Sequence, residues 1–400
     1  MALDFSFSDS EEQVRAATRR MLDGFAPRRA ELQRQILKEQ HFPEELWQAF
    51  ADAGLLGSLI PEAYGGNGAG LLPLAIAMEE MGMQGYASAL LVVTAMDTAC
   101  LVQNASEELK RRVLPEVAAG RQKLCFALTE ATAGSNSFRL RTTAKRSQDG
   151  KHFLVTGEKT FITGADVADR MLLVVRTTSL ADCQSKGLPK AYGLSIFFVD
   201  PKGPGISMTP LPTRGIEGFR QWTVAFDEAE IPADGLVGEL DQGAMALFTS
   251  LNPERILAAA LAGGIGRHLV RKAVDYAKDR VVFGDRPIGS YQGIAHPLAE
   301  ITIELEAARL LTYKSAWAFD HRLDPAEVGQ AANYAKFQSA RVALKAVDRA
   351  IQTHGGSGFS EDVGIIYFWE AMRLLKTAPI REEMILNYVA EHDLGLPRSY

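Results

Sequence analysis

The chain has 400 residues, too many for one ordinary hydrophobic core, so its length predicts two or three domains. Hydrophobic residues make up 47% of it and charged residues 23%, the mix of a well-packed globular protein. The net charge of −6, with no basic run beyond Lys110–Arg112, argues against nucleic-acid binding. The lack of any stretch of about 18 apolar residues argues against a membrane span.

Cysteine usage and the N-terminus bear on the compartment. Cys100, Cys125 and Cys183 lack metal-ligand or redox spacing, so we expect no metal site and a reducing environment. Residues 1–5 resemble neither a signal peptide nor a transit peptide. These features predict a cytoplasmic enzyme.

The first third of the chain has helical spacing. From Glu11 to about Arg121, apolar residues recur every three or four positions, interrupted by breaks at Pro61 and Gly65–Gly68. This pattern predicts an N-terminal helical domain over residues 1–122.

The middle third changes to strand spacing at Cys125. Asp149-Gly150, between two extended runs, predicts a hairpin. Four further strands are predicted at Met171–Arg176, Leu194–Val199, Ile206–Leu211 and Trp222–Phe226. The polar segment Ser179–Lys190 predicts a surface loop. Together these features predict a β-domain over residues 123–238.

Long helical patterns return after Gly238. Pro253–Arg280, Ala299–His321 and Pro325–His354 each exceed the usual globular helix length, which is typical of a bundle. Residues 239–400 are therefore predicted to form a C-terminal four-helix bundle. The order of helical domain, β-domain and bundle predicts an α+β multidomain fold with segregated layers.

One glycine pair superficially resembles a dinucleotide-binding motif. Gly264-Ile265-Gly266 fits the start of G-x-G-x-x-G, but Leu269 stands where the third glycine belongs. The segment also lies inside a helical pattern and does not follow a strand. We interpret these glycines as close helix packing.

A run of small and hydroxyl residues follows the first predicted strand, C-F-A-L-T-E-A-T-A-G-S over Cys125–Ser135. It resembles the flavin-contacting signature of the acyl-CoA dehydrogenase family, A-x-T-E-P-x-A-G-S-D, with Ala131 replacing the proline and Asn136 the aspartate. Further segments are similar to other parts of that family in the same order: Phe42–Gly66, Gly157–Thr163, Arg280–Gln292 and Gln352–Phe359. The resemblance spans essentially the whole chain and implies the family fold, with a β-barrel-like middle domain.

The resemblance implies FAD as cofactor and assigns it contacts residue by residue. It places Phe126, Leu128 and Thr129 on the flavin ring, and Gly134 and Ser135 near the flavin phosphates. It places Phe161 and Thr163 on the other face of the ring, within reach of N5. For the diphosphate and adenosine, at a site shared with a neighbouring subunit, it implies Arg280, Phe283, Gln292, Gln352, Gly355 and Gly356. Ser135 would also lie near the thioester end of the substrate. A homotetramer or homodimer is therefore expected.

The chemistry of the family needs a carboxylate that removes the Cα proton of an acyl thioester while Cβ delivers a hydride to flavin N5. The family's usual base, the Glu of a Y-E-G-T motif, aligns with Pro379, and Glu382 and Glu383 lie beyond it. A minority of the family carries its base in an L-D-x-E-R sequence, which Leu251–Arg255 resembles. This resemblance implies Glu254 as the base and Arg255 as a substrate-binding orienter behind the site, on either the CoA side or the flavin side.

Glu254 also has an ordinary interpretation. Asn252 and Pro253 have the character of an N-cap and first-turn proline, so Glu254 could simply complement a helix dipole.

Three functions from different classes remain open. The first is an acyl-CoA dehydrogenase that passes electrons to electron-transfer flavoprotein. The second is a same-fold enzyme with another reaction, such as an enoyl-CoA reductase or a desulfinase. The third is a non-catalytic acyl-CoA-binding partner subunit, which the intact FAD segments disfavour. The sequence does not distinguish CoA from a carrier protein as the thiol.

Overall fold

The predicted change from helices to strands and back is present in the protein, for which a computed structural model describes residues 6–216 and 218–398. Twelve α-helices occur in these residues: α1 Asp9–Asp23, α2 Arg29–Gln33, α3 Glu44–Asp52, α4 Leu71–Met83, α5 Ala89–Asn104, α6 Glu107–Ala118, α7 Leu180–Ser185, α8 Gly243–Asp279, α9 Gln292–Asp320, α10 Pro325–His354, α11 Tyr367–Leu374 and α12 Glu382–Tyr388. Eight strands occur in the same residues: β1 Leu124–Ala127, β2 Thr143–Arg146, β3 His152–Thr163, β4 Arg170–Arg176, β5 Leu194–Val199, β6 Ile206–Leu211, β7 Gln221–Pro232 and β8 Leu236–Val237. The predicted fold class is confirmed.

The chain divides into two compact units. The helical unit contains the chain up to Pro43, Ala69–Ala87 and the chain from Arg255 onward. The sheet unit contains Glu44–Gly68 and Ser88–Glu254.

The sheet unit is built on one mainly antiparallel sheet, in the order β6-β7-β3-β2-β4-β5-β8, with β1 paired to β4. β2 and β3 form the predicted hairpin around Asp149-Gly150. β1 pairs with β4 in parallel. β2 also pairs with β4 in parallel, through one residue pair.

Strand β4 explains how the sheet packs on both faces. Its side chains alternate: Leu172 and Val174 pack in a core with apolar residues of α5 and α6, whereas Leu173 and Val175 pack in a second core. A strand buried on both faces reads as a continuous apolar run, which is what the sequence shows over this segment.

The helical unit contains close contacts among α4, α8 and α9. A Cβ on Gly264 of α8 would lie 2.2 Å from the carbonyl oxygen of Glu79 on α4, so only glycine permits this approach. The interpretation of the Gly264 pair as helix packing is therefore confirmed. Asp320, at the end of α9, accepts hydrogen bonds from the first backbone N–H groups of α4, Leu71 at 2.7 Å and Leu72 at 2.8 Å.

Two local predictions were wrong. Ser179–Lys190 is not only a loop, because the Ser179 hydroxyl accepts from the Asp182 N–H and caps the short helix α7. Helix α8 starts at Gly243, ten residues before Pro253, so Asn252 is not an N-cap and Pro253 lies inside the helix. Proline removes one backbone donor there but does not end the helix.

Candidate functional site

Strand β1, predicted to contact the flavin, is followed by a turn that a buried ion pair between Glu130 and Lys159 stabilises. Glu130 accepts from the backbone N–H groups of Arg141 at 2.7 Å and Thr142 at 3.0 Å. Lys159 Nζ donates to Glu130 at 2.8 Å and to the Leu128 carbonyl at 3.1 Å. The pair thus fixes both the carbonyl of a predicted flavin contact and the turn that follows it.

Burial controls the charges of this pair. Burial lowers the pKa of the Lys159 ammonium to about 8, although the charge of Glu130 works against this. Burial would raise the pKa of Glu130, but the Lys159 charge and the hydrogen bonds outweigh it and lower that pKa. Glu130 and Lys159 lie within the motif segments Cys125–Ser135 and Gly157–Thr163, and no role was predicted for either.

The two predicted flavin segments of the sheet unit lie together. The Thr160 N–H donates to the Thr129 carbonyl at 2.9 Å, which joins the Phe126–Thr129 segment to the Phe161–Thr163 segment. Phe161 sits in a register shift of β3 with a φ of 58°, and its side chain is 57% exposed. Gln221 Nε2 donates to the Thr163 hydroxyl at 2.7 Å, so that side chain is positioned by β7.

The turn after Glu130 leaves its polar groups accessible. Gly134 and Ser135 are both exposed, and a Cβ on Gly134 would meet nothing within 4 Å. Phe126 and Leu128, by contrast, are half-buried and pack on the core beneath them. An exposed turn above a packed strand suits backbone contact with a ligand phosphate.

The helical unit carries the segments predicted to bind the diphosphate and adenosine. After α8 ends, the chain turns back so that the Ile288 N–H donates to the Arg280 carbonyl at 2.8 Å. At the tip, Phe283 has a φ of 51° and is 98% exposed. Gln292 is the first residue of α9 and is exposed. An open cavity of about 460 Å³ lies beside this segment, between α8 and α9.

The Gln352–Gly356 segment lies next to the Arg280 segment. The Tyr276 ring, one turn before Arg280 on α8, stacks on His354 at the end of α10 with centroids 4.3 Å apart. Gly355 has a φ of 58°, and Cβ atoms on Gly355 and Gly356 would meet nothing within 4 Å. The end of α10 therefore lies against the part of α8 that leads into the Arg280 segment.

Two carboxylates near Pro379 are poorly suited to act as a base. Glu382 is ion-paired with Arg341 at 3.2 Å and Lys376 at 3.1 Å. Burial would raise the pKa of Glu382, but the hydrogen bonds from these two cations outweigh it and lower the pKa. Glu383 is exposed on the surface and lies 3.5 Å from Arg381.

Glu254 differs from both in its position. It lies well inside α8 and is half-buried, as is Arg255 after it. Because α8 begins at Gly243, the helix-dipole explanation for Glu254 is wrong. Its charge also acts on Asp97, a fully buried carboxyl of α5 that the sequence analysis did not single out. The signal available in the sequence was an acidic residue within an otherwise apolar helix.

The residues present fit an FAD molecule. Each unit exposes an aromatic ring at a predicted contact, Phe161 in one and Phe283 in the other. The open space at Gly134, Gly355 and Gly356 leaves the backbone approachable by a large planar or phosphorylated group. Arg280 adds an exposed guanidinium suited to a phosphate.

Comparison with known proteins gives the family. Models of the N-terminal, middle and C-terminal domains of acyl-CoA dehydrogenases match residues 8–121, 125–229 and 241–392. The chain is 40% identical over 398 residues to acyl-CoA dehydrogenase FadE12 of Mycobacterium tuberculosis, covering 99% of this chain and 100% of that protein. It is 31% identical to the caffeyl-CoA reductase-Etf complex subunit CarC of Acetobacterium woodii, covering 89% and 90%.

A solved structure of a glutaryl-coenzyme A dehydrogenase in complex with glutaryl-CoA matches with a TM-score of 0.89 and 28% identity, covering 99% of this chain and 98% of that one. The chain therefore belongs to the acyl-CoA dehydrogenase family, whose members are FAD-dependent oxidoreductases acting on the CH–CH group of acyl-CoA. FAD is its cofactor. Among the residues that the structure describes, no helix is both long and apolar enough to cross a membrane.

Proposed function

We propose that this enzyme catalyses the α,β-dehydrogenation of an acyl-CoA thioester, with Glu254 as the base and electron-transfer flavoprotein as the electron acceptor. The observation that carries the proposal is where the candidate carboxylates lie and what surrounds them. Pro379 occupies the usual base position, Glu382 is committed to two ion pairs, and Glu254 is half-buried within α8.

In this proposal each residue has a defined task. Glu254 takes the proton of the Cα–H bond, and Arg255 orients the groups behind the reacting carbons. FAD, when bound, supplies the acceptor for the hydride that leaves Cβ. Pro379 has no backbone N–H, so it cannot donate to the thioester oxygen as a glutamate at this position would. The thioester carbonyl must therefore be polarised without that donor.

We propose that each FAD is shared between neighbouring chains, in an assembly of two or four chains. In the sheet unit Phe126, Leu128, Thr129, Gly134, Ser135, Phe161 and Thr163 would contact the flavin end. In the helical unit Arg280, Phe283, Gln292, Gln352, Gly355 and Gly356 would contact the diphosphate and adenosine of a neighbouring subunit's FAD. We also propose a cytoplasmic location, because all three cysteines are free of disulfides, as in a reducing compartment.

The cofactor part of the proposal is tested by Arg280→Ala and Gln292→Ala. Both variants should retain less FAD after purification, because each removes a polar contact to the diphosphate or adenosine. Arg286→Ala removes an exposed arginine from the same loop and is the matched control. Full flavin occupancy in both variants, with unchanged assembly, would contradict the shared site.

The reaction is tested by mixing the purified holoenzyme anaerobically with a panel of saturated acyl-CoAs and following flavin absorbance. Bleaching by a saturated acyl-CoA is expected. A yellow protein that no saturated acyl-CoA bleaches, but that is reoxidised by an enoyl-CoA after chemical reduction, would support a reductase. The similarity to a reductase subunit makes that the second candidate. A colourless protein would support the non-catalytic partner.

A further inference from the structure

Helix α5 carries a buried carboxyl group with no structural partner. Asp97 is 0% exposed, and neither of its carboxyl oxygens forms a hydrogen bond with any residue that the structure describes. Buried polar groups of native proteins are nearly always paired, because an unpaired one carries the full loss of its hydration. An orphaned carboxyl of this kind therefore requires a functional explanation.

Asp97 faces a narrow space inside the sheet unit. Apolar side chains form most of its lining, together with Cys100 and Ser250. The Ser250 hydroxyl donates to the Ala246 carbonyl at 2.5 Å, so its proton is already engaged. The space has no room for a water molecule as it stands, so water does not satisfy the carboxyl.

The position of this space relates it to the predicted chemistry. Ser250 precedes Glu254 by four residues, so both lie on the same face of α8, about 6 Å apart along the helix axis. Phe126, a predicted flavin contact, lies on another side of the space. Phe126 and Leu251 are the two lining side chains that are partly exposed. Because Phe126 is a predicted flavin contact, a ligand atom would enter by displacing Leu251.

The surroundings keep Asp97 uncharged. Burial raises the pKa of its carboxyl well above the usual range, and the charge of Glu254 raises it further. The neighbouring thiols are also neutral, because burial raises the pKa of Cys100 to about 11 and that of Cys125 well above its usual value. A neutral carboxyl both donates and accepts a hydrogen bond, and its best complement is a neutral group that does the same.

We propose that Asp97 is a specificity determinant that selects acyl thioesters whose acyl group carries a hydroxyl beyond Cβ. This inference rests on the proposed dehydrogenase function and names its substrate class. A hydroxyl donates to one carboxyl oxygen and accepts from the other, so it satisfies both orphaned atoms. A carboxylate on the acyl group would add a negative charge beside Glu254, and an ammonium group would require Asp97 to ionise in an apolar space.

The test compares ω-hydroxyacyl-CoAs with unsubstituted acyl-CoAs of the same chain length, by the rate and apparent Kd of anaerobic flavin reduction. The wild type should prefer the hydroxylated member at one chain length by at least about tenfold, since an unmade hydrogen bond in a buried site is that costly. Asp97→Leu should abolish the preference or reverse it. Asp97→Asn, which still donates and accepts, should keep most of it.

A second readout separates recognition from folding. Asp97→Leu replaces an orphaned polar group by an apolar one of similar size, so its Tm with FAD bound should equal or exceed that of the wild type. If Asp97→Leu fails to fold, the inference is tested by two results: whether the wild type prefers the hydroxylated acyl-CoA, and whether Asp97→Asn keeps that preference. A wild type bleached equally by both series, or a preference unchanged in Asp97→Leu, would overturn the inference alone. A wild type bleached by neither series would overturn the proposed function and this inference with it.

Discussion

Replacing Lys159 by methionine should destabilise the enzyme strongly and loosen its flavin segment. Lys159 is 0% exposed and Glu130 6% exposed, so the variant leaves a buried carboxylate with two backbone donors and no cation. Removing one partner of a buried ion pair costs about 3–5 kcal/mol. The Leu128 carbonyl also loses its donor at 3.1 Å, so FAD affinity should fall at least about tenfold.

The assay is urea denaturation followed by circular dichroism, together with the amount of FAD retained on gel filtration. Lys145→Met removes an exposed lysine from β2 and should change the free energy of unfolding by less than about 0.5 kcal/mol. The double variant Glu130→Gln with Lys159→Met should lose at least about 2 kcal/mol less than the sum of the single variants, because it buries no unpaired charge. A Lys159→Met variant with unchanged stability and full FAD would show that the Lys159–Glu130 pair does not hold the flavin segment.

Two further predictions concern the helical unit. Burial lowers the pKa of His268 to about 3, below its usual 6.5. Between these values the unfolded chain binds the proton and the folded one does not, so stability falls as pH falls below 6.5, by roughly 2 kcal/mol at pH 5. In urea titrations at pH 7 and pH 5, His268→Gln should lose less stability on acidification than the wild type does. The exposed-site control His296→Gln should lose as much as the wild type. An unaltered loss in His268→Gln would count against the burial of His268 as its cause. Gly264→Ala should lower the free energy of unfolding by about 1–3 kcal/mol, because its Cβ meets the Glu79 carbonyl. At Gly263 a Cβ meets nothing within 4 Å, so Gly263→Ala should stabilise the helix by about 0.5–1 kcal/mol, and equal effects of the two changes would disprove the packing argument.

Strands and helices were predictable from the sequence wherever local signals, such as turn residues at both ends of an apolar run, set their bounds. Leu194–Val199 and Ile206–Leu211 match the predicted bounds because turn residues delimit both runs. The start of α8 was missed because Asn252 and Pro253 have the character of a helix N-terminus, whereas packing of the preceding turns extends the helix back to Gly243. Tertiary contacts override a local start signal in this way when the upstream residues bury apolar side chains.

The site was only partly predictable for a different reason. Motif similarity predicted that the segments containing Thr129 and Thr160 both contact the flavin, and a backbone hydrogen bond joins these two residues. Motifs do not indicate which side chains support a site from behind. Lys159 and Asp97 are important through their burial, and burial depends on contacts between residues far apart in the chain.

The rate of anaerobic flavin reduction in Glu254→Gln decides whether Glu254 is the catalytic base. Glutamine keeps the size and hydrogen bonding of the side chain but removes the base, so FAD and acyl-CoA should still bind. Reduction should slow by roughly 10²–10⁴-fold, the usual contribution of a positioned general base. Glu382→Gln combined with Glu383→Gln should slow it far less, since those carboxylates are ion-paired or exposed. Reduction of Glu254→Gln at the wild-type rate would contradict the assignment of Glu254 as the base.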